Sequence, residues 1–350
     1  MQRPNLQKIS PDVSAYIEYL ETRIAALEGK RSRPVSPVED DHIRAETALP
    51  QETTSTDSLF TLSATGKLKR SYRHLYGRQH RGGMGVFDLD VDPPDFPVAV
   101  QILPEGASLL LFTNLARVFR LPAGRFDASE VRAKGEDLAV RFPLESGERF
   151  VAMLQDQASG YVALGSQRGR VRVLRHHLFG EHMRPGTAMF RPDEFGELSA
   201  VCWTPGNADL LLLTRRGMGI RFAEKLLNPQ GDLGIRLTDG DQLVAVLSVD
   251  DDSQVFLAGA DGRGTLRSMK SFSANKSAGG IGKLAMRTDQ LAGGLVAHST
   301  EDVFLISRLS KLIRFPAIEV PETDGVVQGV ACMQLRADEV AALSISRGLS

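Results

Sequence analysis

Residues 209–223 read DLLLLTRRGMGIRFA: a run of β-formers, a small-residue turn, and a second apolar run that carries a basic side chain. Two short apolar runs joined by such a turn read as buried strands in a hairpin. Moving outward along the chain, the same phrase recurs as SLFTLSATGKLKRS (58–71), LLLFTNLARVFRLP (109–122), GYVALGSQRGRVRVL (160–174), QVFLAGADGRGTLRSM (254–269) and DVFLISRLSKLIRFP (302–316). The turn positions Gly66, Ala116, Gly169, Gly217, Gly262 and Ser310 are separated by 50, 53, 48, 45 and 48 residues. Each copy ends in another apolar strand: FPVAVQIL, RFVAMLQD, LSAVCWT, QLVAVLSV, LAGGLVAH and EVAALSIS. This period, with about four short strands per unit and no helical pattern inside, predicts an all-β, six-bladed propeller-like ring. One four-stranded sheet exposes two apolar faces and two edges, and stacking against neighbouring sheets takes that surface out of water.

Ahead of the repeats, Val13, Ile17, Leu20, Ile24 and Leu27 fall at spacings of 4, 3, 4 and 3, so residues 1–29 are expected to hold a short amphipathic helix ended by Gly29. Fewer than three heptads are marginal alone in water; the stripe packs on the main body or on a second copy, as a homodimer. Residues 30–56 carry Pro, Ser, Thr and acids without apolar periodicity and read as a flexible linker. The ring is assigned to 57–350. Across the whole chain 42 Lys and Arg balance 43 Asp and Glu, so no global charge selects a polyanion or a membrane surface. Cys202 and Cys332 sit far apart in apolar runs and read as buried, reduced thiols. With no stretch of 18 apolar residues and no signal peptide, the expected location is the cytoplasm, without a membrane partner.

The loop of the first repeat reads Gln79-His80-Arg81-Gly82-Gly83-Met84-Gly85. It resembles the gyrase A box, Gln-basic-Arg-Gly-Gly-basic-Gly, of the C-terminal domain of DNA gyrase A and its topoisomerase IV counterpart. The second repeat, VFRLPAGRFDASEVRAKGEDLAVRFPLESGERFVAML, is similar to that family's second blade in order and spacing, and Gln328-Gly329-Val330 stands where its last blade has Gln-Gly-Val. The resemblance implies a six-bladed β-pinwheel, in which each blade gives strands to its neighbour, and a rim that binds and wraps DNA. It also implies that the box loop joins the last blade to the first. His80 and Met84 depart from the pattern, and both substitutions remove a phosphate-pairing charge. Gyrase cuts DNA with a tyrosine next to an arginine in a separate domain, whereas none of Tyr16, Tyr19, Tyr72, Tyr76 and Tyr161 follows an arginine. Strand cleavage by this chain is therefore not expected, and the protein reads as a stand-alone, non-enzymatic pinwheel.

The basic residues make their own case. Lys67, Lys69 and Arg70, then Arg117 and Arg120, Arg170 and Arg172, Arg221, Arg263 and Arg267, and Lys311 and Arg314 recur once per blade, and in a ring they are expected to form a cationic track on the rim. Such a track follows phosphates without reading bases. The first blade concentrates the charge, with Lys67, Lys69, Arg70, Arg73, Arg78 and Arg81 and no acid between residues 66 and 85. These side chains, with the box residues Gln79, His80, Gly82, Gly83, Met84 and Gly85, form the expected DNA-binding set. The plainer reading is that basic and acidic faces alternate for solubility. His176, His177 and His182 lack convergent acidic partners for a metal, and Gly279-Gly280-Ile281-Gly282-Lys283 lacks the ending of a phosphate-binding loop. Trp203 reads as core. No cofactor or metal is implied. Two functions compete: a module that binds, bends or wraps duplex DNA beside a topoisomerase or another nucleoid protein, and a disk-shaped scaffold for protein partners.

Overall fold

In the computed structural model, which describes residues 56–346, all six hairpins are closed in the same way. The turn residue donates its N–H to the carbonyl three residues back, as in Gly217 to Thr214 (2.9 Å) and Ser310 to Ser307 (2.9 Å). All six turn positions have left-handed φ, including the two without glycine, Ala116 (57°) and Ser310 (63°). In five blades a hydroxyl at the end of the first hairpin strand accepts the N–H that opens the second, from Lys67 to Ser63, Arg117 to Thr113, Arg170 to Ser166, Met218 to Thr214 and Lys311 to Ser307. Blade 5 has Gly259 at that place, and Asp261 Oδ1 takes the Arg263 N–H instead, at 3.1 Å. The segment 1–29 and nearly all of the linker lie outside the described residues.

Each hairpin is flanked on one side by its own inner strand. Blade 1 runs Pro97–Pro104, Asp57–Ser63, Lys67–Tyr72, and is completed by Glu136–Asp137, a two-residue strand from the chain of blade 2. The pattern repeats around the ring: Thr187–Ala188 of blade 3 completes blade 2, Asp232–Leu233 of blade 4 completes blade 3, and Lys283–Leu284 of blade 5 completes blade 4. Two short strands of blade 6, Glu322–Thr323 and Val330–Ala331, complete blade 5. Val86–Phe87 of blade 1 then pairs with Lys311–Pro316 of blade 6, with Leu312 opposite Val86 and Lys311 opposite Phe87. The ring is therefore closed by main-chain pairing, and the edge that each sheet would expose is covered by its neighbour.

A glycine precedes the donated strand in every blade: Gly85, Gly135, Gly186, Gly231, Gly282 and Gly329. At Gly85 the reason is explicit, because φ is +71° and a Cβ would lie 2.6 Å from the Leu312 carbonyl oxygen. The loop Gly279–Lys283 thus serves blade exchange, and Gly329 plays the same part at the end of Gln328-Gly329. Six apolar clusters fill the junctions between blades. The 6–1 junction is the smallest, with seven buried residues (Leu59, Tyr76, Val100, Phe304, Ile306, Leu312, Ala342), whereas the others hold ten to fourteen. The six inner strands line a channel of about 780 Å³. Trp203 departs from the expected core position: it is half-buried on this channel wall, with Nε1 donating to the Gln155 carbonyl at 2.6 Å.

Gly85→Ala is expected to lower stability by about 2–4 kcal/mol, since it adds a left-handed side chain and pushes the closing strand off its partner. Gly77→Ala, where an added methyl meets nothing within 4 Å, serves as the control and should be nearly neutral. Urea unfolding monitored by circular dichroism measures both, and equal midpoints for the two variants would contradict the close-approach account.

Candidate nucleic-acid interface

Side chains alternate along a strand, so the fourth residue of the outer hairpin strand faces the following blade. That position holds Arg70, Arg120, Arg221 and Arg314. Three of these guanidinium groups reach main-chain oxygens at the short 3₁₀ turn of the next blade. Arg70 donates to the Phe126 carbonyl (2.7 Å), Arg221 to those of Met269 and Phe272 (3.0 and 3.2 Å), and Arg314 to that of Tyr76 (3.2 Å). Tyr76, Phe126 and Phe272 occupy equivalent places at the end of that turn. The same arginines are anchored in their own blade twelve residues upstream, by Ser58, Asp209 and Asp302. They are clasps between blades: Arg70, Arg221 and Arg314 are 4%, 3% and 1% exposed.

The 6–1 seam adds a buried polar cluster to its small apolar core. Lys69 and Tyr76 both donate to the Asp88 carboxylate, Thr61 Oγ1 donates to it at 2.6 Å, and Lys69 Nζ also reaches the Asp88 carbonyl at 2.8 Å. Burial drives the Lys69 ammonium below its ordinary pKa, only partly offset by Asp88, and drives the Tyr76 hydroxyl upward. Asp88 is in turn fixed to blade 6 by its N–H donating to the Ser310 carbonyl at 2.7 Å. The box loop runs directly into this cluster. Gln79 and Gly82 donate main-chain N–H groups to the carbonyls of Arg314 and Cys332, and Gly83 bridges to Met333. Arg78 pairs with buried Asp302 at 2.9 Å, His80 with Glu319 at 3.0 Å, and Arg81 donates to the carbonyls of Glu319 and Ala331. Met84 is exposed.

The expected rim track is therefore not what most of the recurring cations form. Lys69, Arg70, Arg73, Arg221, Arg267 and Arg314 are buried. Of the partly exposed ones, Lys67 is held by Asp137 (2.7 Å), Arg117 by Glu148 (2.6 Å) and Arg120 by Asp156 (3.0 Å), while Arg73 lies 3.7 Å from Asp57. Arg170 lies over the Phe195 ring and Arg172 donates to the Met189 carbonyl. Arg263 is exposed near Asp261 and donates to the Gly329 carbonyl. Lys311 is half-buried with no ion-pair partner among the described residues. The physical reason is that a third-strand cation lies between two stacked sheets, where an unpaired charge is costly and a carbonyl or carboxylate is within reach.

Available charge lies instead in the segments that cross from the hairpin to the inner strand. Arg125, Arg132, Lys134, Arg184, Lys225, Arg236, Lys276, Arg287 and Arg336 are exposed there without a carboxylate partner among the described residues. Five of these six segments carry more acid than base. The exception is residues 269–290 of blade 5, with Lys270, Lys276, Lys283 and Arg287 against Asp289 alone. The once-per-blade basic pattern points to none of these four, although a charge count per crossing segment reveals them.

A closed six-bladed ring whose outer strands are exchanged between neighbours, fastened at its seam by a Gly-rich loop of the first blade, is a β-pinwheel. The family model described as the DNA gyrase C-terminal domain, beta-propeller, matches residues 57–103, 107–135 and 208–250. DNA gyrase A of Pseudomonas aeruginosa is 26% identical over 342 residues, covering 82% of this chain and 37% of that protein; DNA gyrase A of Mycolicibacterium smegmatis is 26% identical over 293 residues, covering 80% and 35%. The chain thus spans about a third of the length of these curated relatives. The solved C-terminal domain of DNA gyrase A superposes with a TM-score of 0.71 at 19% identity, covering 84% of this chain and 100% of that one. The topoisomerase IV C-terminal domain gives 0.60 at 17% identity, covering 84% and 94%. The chain belongs to the family of DNA gyrase A C-terminal β-propeller domains.

Replacing Arg314 with leucine removes the clasp and leaves the buried Asp302 carboxylate with Arg78 as its remaining cation, so a loss of about 3 kcal/mol is expected in urea unfolding. An unchanged midpoint would refute the clasp assignment. Burial pushes the Cys202 and Cys332 thiols up to about 12, so both stay protonated at pH 8. Both should react with a disulfide reagent only after denaturation; rapid labelling of the native protein would contradict this.

Proposed function

We propose that this ring is a sequence-tolerant duplex DNA-binding module, centred on the rim of blade 5 and acting without strand cleavage. The observation that carries the reading is the excess positive charge of residues 269–290 in a molecule whose other cations are largely spent on its own carboxylates and carbonyls. Membership in the gyrase A C-terminal family supplies the ligand class. Lys276 and Arg287 are exposed on flexible stems and meet phosphates as point charges, so affinity is expected to depend on backbone charge and little on base sequence. The first-blade box loop has no such role here, because Arg78, His80 and Arg81 are engaged in holding the ring shut. Under this reading the protein works on the nucleoid in the cytoplasm, beside a topoisomerase or another nucleoid protein.

One observation favours the scaffold reading. Leu75, Leu178, Leu226 and Ile318 are exposed on the 3₁₀ turns of four blades, where a protein partner would cover them.

Titration of a fluorescent duplex over a salt series tests the proposal. Three or four phosphate contacts give a log-log slope of about −3, shallower than a fully charged rim would produce. Reversing both Lys276 and Arg287 to glutamate should weaken binding by about tenfold or more at 100 mM salt. Absence of duplex binding by the unaltered protein at about 50 mM salt would reject the function.

A further inference from the structure

Five arginines are buried among the described residues: Arg70, Arg73, Arg221, Arg267 and Arg314. Four of them have a carboxylate oxygen within 4 Å: Glu105 for Arg70, Asp57 for Arg73, Asp209 and Asp251 for Arg221, and Asp302 for Arg314. Arg267 has none. It is 5% exposed, and its Nε and Nη1 atoms are buried without a hydrogen-bond partner. Blade 5 differs from its neighbours here in two ways. The strand that opens with Asp209 in blade 4 and Asp302 in blade 6 opens in blade 5 with Gln254, which is turned to Glu322. Its arginine also stands one residue later in the strand, at the fifth position, and so faces back toward blade 4.

On that side Arg267 meets a second cation. Lys283 Nζ lies 4.2 Å and Arg267 Cζ 5.8 Å from the centroid of the same Phe272 ring, so the two charges are separated by no more than the sum of those distances. Arg221, already neutralised by Asp209 and Asp251, donates to the Phe272 carbonyl from the facing blade. The one other polar contact of Lys283 is Ser273 Oγ at 3.4 Å. Asp324 is the carboxylate whose charge acts on Arg267, and Lys270 in the adjoining turn is paired with Asp252. Burial lowers the Lys283 pKa, and the charges of Arg267 and Arg221 lower it further, the signature of cations crowded without enough counter-charge.

We propose that the junction of blades 4 and 5 holds an oxyanion site in which Arg267 and Lys283 receive one phosphate group over the face of Phe272. Charge-assisted contacts of about 2.8 Å on two sides of a tetrahedral oxyanion bridge cations at such a separation. The proposal rests on the DNA-binding reading for the source of the phosphate, a backbone phosphodiester, while the chemistry is shared by free phosphate.

The full chain and its R267Q/K283Q variant are compared in two assays. In the first, inorganic phosphate is added against sodium chloride of equal ionic strength while thermal unfolding is followed. In the second, a duplex is titrated over the salt series. The site predicts that phosphate raises the melting temperature of the unaltered protein and not of the variant. It also predicts that the variant's salt slope falls by about 1 to 2, with unchanged circular dichroism. Equal phosphate response and equal slope in the two proteins would overturn the site while leaving DNA binding intact. A phosphate response confined to the unaltered protein, with no duplex binding, would uphold the site for free oxyanions and remove the DNA-binding reading.

Discussion

The structure depends on one main-chain exchange: a two-residue strand from each blade must lie against the third strand of the blade before it. That pairing covers the edge of every sheet, and it demands an approach so close that Gly85 at the seam has no room for a methyl group. Short strands contribute few hydrogen bonds, so the exchange needs support from elsewhere. Apolar clusters supply it between most blades. At the 6–1 seam, where that cluster is smallest, the Lys69–Asp88–Tyr76 network, the Arg314 clasp and the box loop stand in for part of it. Buried ion pairs of this kind give geometry more than net stability, since desolvation offsets much of their attraction, but losing one partner is costly.

The electrostatics follow from that use of charge. An arginine between stacked sheets serves the ring only if it is satisfied internally, and a satisfied arginine has little left for a phosphate. The family's box loop, already short of two basic residues at His80 and Met84, keeps its structural part and closes the ring. Surplus positive charge is found where the stacking constraint is weakest, in the crossing segment of blade 5. The binding surface proposed here is therefore local, whereas a wrapped duplex needs cations distributed around the rim.

Much of this was legible in the sequence. The hairpins announce themselves through apolar runs and turn residues, and even Ala116 and Ser310 could be placed by register, although neither is a glycine. Blade exchange came only from resemblance to the gyrase family, because a two-residue strand has no periodicity to detect. The recurring arginines were visible but their direction was not. Whether a strand cation faces solvent or the next sheet depends on residue parity and on partners from other segments, such as Glu148 for Arg117 or the Tyr76 carbonyl for Arg314. One signal was available: Ser58, Asp209 and Asp302 each precede their arginine by twelve residues, a spacing that marks an intrablade anchor. Trp203 misled for a different reason, since an inner strand of a ring has a channel on one side and its apolar residues need not be core.

Hydrogen exchange measured with and without duplex DNA tests the central claim most directly, because it reports on the ring clasp and the binding surface in one molecule. The account predicts added protection in residues 269–290 on DNA binding, with the box loop at 79–87 already slow to exchange and unchanged by the ligand. Protection that appears in 79–87 and is absent from 269–290 would contradict it.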